Sequence, residues 1–106
     1  MNNAEQQRTL RELHASCKKC EKIVEETEAL EAEMDMILRE SAQVNEQLLA
    51  LPTALEARLS GLFKLVTNVN ELRARCNVLR QRQLALRARY TEERAVFECL
   101  KKRAYN

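Results

Sequence analysis

Residues 72–104 read LRARCNVLRQRQLALRARYTEERAVFECLKKRA, and the spacing of apolar residues in this stretch decides the fold. Stepping alternately by four and three from Leu72 gives Cys76, Leu79, Gln83, Leu86, Tyr90, Glu93, Phe97, Leu100 and Ala104. Eight of these ten positions suit a coiled-coil seam, and only Gln83 and Glu93 are out of character. With Cys76 as heptad position a, the flanking e positions are Arg73, Arg80, Arg87, Arg94 and Lys101, and the g positions are Arg75, Arg82, Arg89, Val96 and Arg103. Nine of the ten are basic. Such a helix repels its own copy, because e meets g in parallel pairs and like meets like in antiparallel ones. It calls for an acidic partner.

The first half of the chain offers one. Residues 1–50 hold six Lys or Arg against eleven Asp or Glu, while residues 51–106 hold twelve against five, so a formal net charge of only +2 conceals halves of −5 and +7. From Ile23 a seam runs through Thr27, Leu30, Met34, Ile37, Ser41, Val44, Leu48 and Leu51, with Glu26, Glu33 and Glu40 on successive g positions. Thr27 and Ser41 are its weak members. Upstream, an apolar stripe at Leu10, Leu13, Cys17 and Cys20 leads into Ile23 by two successive steps of three, which reads as a stammer in the heptads.

The 106 residues include one Gly, one Pro and no Trp, and 32% are charged. That is the composition of long helices rather than of an ordinary globular core. A single helix of about 100 residues would be about 150 Å long and would leave its whole apolar stripe in water. Pro52 ends the first helix near Ala50, because it removes a helical hydrogen bond and pushes Leu51 out of the helical region. The expected elements are a helix over about 3–50, capped by Asn2 or Asn3, a corner at 51–61, and a helix over about 62–104. Within the corner, Thr53 and Glu56 read as a capping box and Ser60-Gly61 as a second break. The second helix passes through Leu62, Val66 and Val69 and changes phase at Leu72.

Two arms of nearly equal length invite an antiparallel hairpin, in which g faces g. One register pairs Glu40 with Arg75, Glu33 with Arg82 and Glu26 with Arg89, each pair of residue numbers summing to 115. It also places Glu31 opposite Arg80 on the other flank. Core partners then sum to 113, which centres the turn at 56.5, midway between Pro52 and Gly61. Sliding the register by one heptad keeps only two of the three ion pairs. The expected fold is therefore all-α, two long heptad-bearing helices forming one unit that enters a larger bundle. The alternative is a kinked rod whose stripe continues through Leu55, Leu59 and Leu62 and pairs between chains.

A hairpin does not exhaust the apolar surface. Val24 and Leu38 fall on e positions of the first helix, and Phe63, Leu65, Leu84 and Val96 widen the stripes beyond what two helices need. Arg73, Arg87 and Arg94 have no acid opposite them. Together with Val24 and Leu38 they form the strip expected to meet an external partner, while Leu30, Met34, Ile37, Val44, Leu48, Leu72, Leu79, Leu86, Tyr90, Phe97 and Leu100 form the seam. The expected partners are other coiled-coil proteins whose apolar helices have acidic flanks, in a hetero-oligomer.

Other chemistry finds little support. Cys17-Lys-Lys-Cys20 lacks a second pair at zinc spacing. His14 and Cys20 diverge around a helix, and the motif lies well inside the helix rather than at its N-terminus. No metal or cofactor is expected, and the cysteines read as reduced small apolar residues. Without a phosphate-binding glycine loop or a nucleophile beside a base, no enzymatic activity is expected. The regularly spaced arginines leave a polyanion reading open, toward nucleic acid or an acidic membrane, although one cation per heptad flank usually serves a coiled-coil partner. No signal peptide or membrane span is read, so the expected location is intracellular, cytoplasmic or cytoskeleton-associated, with the nucleus also possible. In build the chain is similar to the small helical subunits of eukaryotic tethering, organelle-positioning, kinetochore and spindle complexes. That resemblance implies a scaffolding role.

Overall fold

The computed structural model describes residues 2–105. It contains two helices, α1 (Asn3–Leu49) and α2 (Leu55–Tyr105), and no strand among the described residues. The helices form an antiparallel hairpin rather than a kinked rod. At the start of α1, Asn2 Oδ1 accepts the Glu5 backbone N–H at 2.8 Å, and the Asn2 carbonyl accepts from Gln6 at 2.9 Å. Asn2 is therefore the N-cap. At the other end, Leu51 N–H reaches back only three residues to the Leu48 carbonyl at 3.4 Å, a tightened last turn that Pro52 prevents from continuing.

The connection is shorter than the sequence suggests. α2 starts at Leu55, not near 62, and its first bond closes on the Ala54 carbonyl, from Arg58 N–H at 2.8 Å. The cap is thus one residue past Thr53. Gly61 breaks nothing, for it lies inside α2 with no positive φ. Its role is steric: a Cβ at this position would collide with the side chain of Leu51. The missing side chain makes room for Leu51, which is half-buried despite sitting in the turn. A glycine that reads as a helix breaker here permits close approach of the turn to the helix.

The hairpin comprises two units. The turn unit consists of Leu30–Arg82, and the terminal unit of the chain before Leu30 and after Arg82. In the turn unit Leu30, Ile37, Leu65, Leu72 and Leu79 are buried, whereas Val66 is exposed. Leu65, three residues after Leu62, carries the seam toward Leu72 without a phase change. The sequence misleads here because Leu65 and Val66 are equally apolar, and only packing distinguishes them.

In the terminal unit the buried residues are Thr9, Ser16, Ile23, Leu86, Leu100 and Ala104. Thr9 and Ser16, at 2% and 3% exposure, replace Leu10 and Cys17 as seam positions, and the steps 9, 13, 16, 20, 23 are regular heptads. There is no stammer. A period search weighted by hydrophobicity picks the wrong neighbours because these two seam residues are polar. Each satisfies its hydroxyl: Thr9 Oγ1 donates to the Glu5 carbonyl at 2.9 Å, as Thr27 Oγ1 does to Ile23 at 2.8 Å, and Ser16 Oγ donates to Glu93 Oε1 at 2.7 Å. The out-of-character Glu93 therefore has a partner across the seam.

With Met34 and Leu79 in one core layer, cysteines placed at these two positions should form an intrachain disulfide when the four native cysteines are replaced by alanine. Non-reducing electrophoresis after oxidation of a dilute sample should give a fast-migrating monomer. Crosslinking between chains alone would refute the pairing.

Candidate helix-binding surface

The two flanks of the hairpin differ in how they use charge. On the g flank of the turn unit, Arg75 Nη1 lies 2.6 Å from Glu40 Oε2 and Arg82 Nη1 lies 3.8 Å from Glu33 Oε2. In the terminal unit Arg89 Nη1 lies 2.8 Å from Glu26 Oε2. The three pairs share one register. All remain well exposed, so each contributes at most about 1 kcal/mol, against about 1.5–3 kcal/mol for a fully buried leucine. Burial stabilises the hairpin; the charges choose its register.

On the e flank the cations are mostly unanswered. Among the described residues no carboxylate lies within ion-pairing distance of Arg73, Arg80 or Arg87. Glu31, expected opposite Arg80, does not reach it. Among the described residues Arg94 has no carboxylate opposite it on α1 but is engaged within α2: its Nη2 lies 2.9 Å from Glu98 Oε1, one turn along, and its guanidinium stands 5.2 Å from the Phe97 ring centre. The i,i+4 spacing of Arg94 and Glu98 on one helix supplies this partner without any contribution from α1. Beside the free arginines, Leu38 in the turn unit and Val24 in the terminal unit are exposed.

The seam belongs to the hairpin itself. Leu30, Ile37, Leu72, Leu79, Leu86 and Leu100 are buried, and Met34, Val44 and Phe97 are half-buried. Leu48 and Tyr90 keep 43% and 38% of their surface, so the seam is incompletely covered at these two positions. Further apolar surface lies outside it. At the start of α2, Leu55, Leu59, Phe63 and Val66 are exposed at helical spacing, whereas Leu62, which with Leu55 and Leu59 makes the rod's expected continuation, is half-buried. A groove of ≈ 430 Å³ on the g flank, lined by Met36, Ala74 and Val78 between Glu33, Arg75 and Arg82, is not foreshadowed by either seam. The signal for it was Met36 and Val78, apolar residues outside both seams.

The cysteines are thiols. Cys20 and Cys76 are half-buried on the seam, Cys17 is half-buried beside it, and Cys99 is exposed. Burial pushes the Cys20 thiol up, and the Glu93 carboxylate adds to that while Arg94 opposes it. A raised thiol is the reverse of what a redox or metal-binding C-x-x-C requires. Among the described residues no group of three His, Cys, Asp or Glu could hold a metal ion, and no helix is long and apolar enough to cross a membrane.

Alkylation with iodoacetamide near pH 8, followed by mass spectrometry, should label Cys99 first and Cys20 last, with rates about tenfold apart or more. Equal rates would contradict the seam assignment. Compared with protein families, with characterised proteins and with solved structures, the chain matches none.

Proposed function

We propose that the chain is a non-enzymatic scaffold subunit of a heteromeric coiled-coil complex, of the adaptor, tethering or cytoskeletal and kinetochore type, acting inside the cell through helix–helix contacts. The observation that carries this reading is the contrast between flanks. Arg75, Arg82 and Arg89 have internal carboxylates, whereas Arg73, Arg80 and Arg87 have none and lie beside apolar side chains that two helices leave bare. An apolar surface edged by unpaired cations suits helices with an apolar stripe and acidic edges. The partner supplies what the chain lacks.

The competing reading is a polyanion site, favoured by the same three free arginines. Against it weighs the engagement of four further guanidiniums, those of Arg75, Arg82, Arg89 and Arg94, with carboxylates. Phosphate binding would have to break those pairs or make do with one cation per heptad.

Crosslinking mass spectrometry on the full chain purified with its cellular partners should give links between α2 and helical proteins with acidic flanks. The isolated chain should self-associate or unfold broadly and become cooperative on reconstitution with those partners. A stable monomer with sharp unfolding and no protein crosslinks would overturn the scaffold reading. Mobility shifts with DNA, RNA or anionic vesicles that fall steeply with salt would favour the polyanion.

A further inference from the structure

In the turn unit the e positions of α2 follow one another as Leu59, Val66, Arg73 and Arg80, one heptad and about 10 Å apart at each step. The track is apolar for its first two members and basic for the next two. All four side chains are exposed, as is Phe63, one turn after Leu59, at 76%. On the facing edge, α1 contributes Leu38, 68% exposed, in the register position opposite Arg73. These residues line one side of the hairpin, the side opposite the ion pairs of Arg75 and Arg82. The surface is thus one flank of the hairpin, carried mainly by α2 and graded along its length from apolar to cationic.

Such a gradient specifies its occupant. A straight helix laid along this flank presents side chains at the same seven-residue spacing, so two of its carboxylates one heptad apart reach Arg73 and Arg80 together. The α1 edge narrows the choice further. Glu31 and Asp35 are exposed on this side, and they would repel the uniformly negative surface of nucleic acid or an anionic membrane, whereas a helix can carry acids on one edge only.

We infer that the e flank of the turn unit is a docking groove for a single helix of another protein, apolar where it meets Leu59, Phe63 and Val66, and bearing two carboxylates one heptad apart against Arg73 and Arg80. The inference rests on the scaffold reading and locates its contact.

Two synthetic amphipathic peptides test it, sharing one apolar stripe and differing in Glu or Lys at two edge positions seven residues apart. Fluorescence anisotropy with the full chain should show binding of the Glu peptide alone. The double variant R73E/R80E should lose about tenfold or more of that affinity and acquire binding of the Lys peptide, a gain that a misfolded chain cannot show. Leu59→Ser with Phe63→Ser should weaken the Glu peptide while circular dichroism stays helical. If R87E, and not R73E/R80E, abolishes Glu-peptide binding, the groove is overturned and the scaffold reading stands. Binding of neither peptide overturns the groove, and if anionic phosphatidylserine vesicles or heparin bind instead, the scaffold reading falls with it. A dimer in sedimentation equilibrium that dissociates on R73E/R80E would assign the flank to a second copy and overturn the inference.

Discussion

A helix of about fifty residues with one apolar stripe cannot keep that stripe out of water, and α1 and α2 meet this constraint by covering each other. Everything else in the fold answers it. Pro52 supplies the break that lets the chain reverse, and Gly61 supplies the space into which Leu51 packs where the turn meets α2. The leucines and isoleucines at heptad spacing fill the seam of each unit. Where the seam turns polar, at Thr9, Thr27 and Ser16, each hydroxyl donates to a carbonyl or to Glu93, so burial does not strand it.

Burial alone is indifferent to register, since a one-heptad slip again matches apolar residues with apolar ones. Charge and buried polarity remove the degeneracy. The three Glu–Arg pairs share a single register, and the Ser16–Glu93 bond lies at one place in the seam, where the slip that brings Ile23 to the position of Ser16 would leave the carboxylate against an apolar neighbour. The division of charge between the chain's halves, nearly invisible in a net of +2, is therefore what makes the hairpin pair with itself. The same division leaves one flank of α2 overcharged, and the scaffold reading grows from that surplus.

Much of this was legible in residue order. Heptads and flanking charge gave the helices, the antiparallel pairing and the register, because spacing and sign are properties of the sequence itself. The failures came where packing chooses between adjacent side chains of similar character. Leu65 and Val66 are equally apolar, and Ser16 looks less suited to a seam than Cys17, yet Leu65 and Ser16 are the buried members. Gly61 reads as a helix breaker for the same reason, its role being defined by Leu51, ten residues away. Of the candidate surface, Arg73, Arg87, Leu38 and Val24 were identifiable by subtraction. Arg94 was not, because its acid lies on its own helix, and the Met36–Val78 groove required two helices to be placed side by side.

The central claim is that charge fixes the in-chain register, and the most direct measurement is a thermodynamic cycle on Glu40 and Arg75. Measured on the chain reconstituted with its partners, where unfolding is cooperative, thermal unfolding at low salt should show that Glu40→Arg and Arg75→Glu each destabilise the chain. The doubly reversed chain should recover most of the loss, with a coupling of about 0.3–1 kcal/mol that shrinks as salt is raised. Strictly additive effects, with the double reversal as unstable as the sum of the singles, would contradict the account.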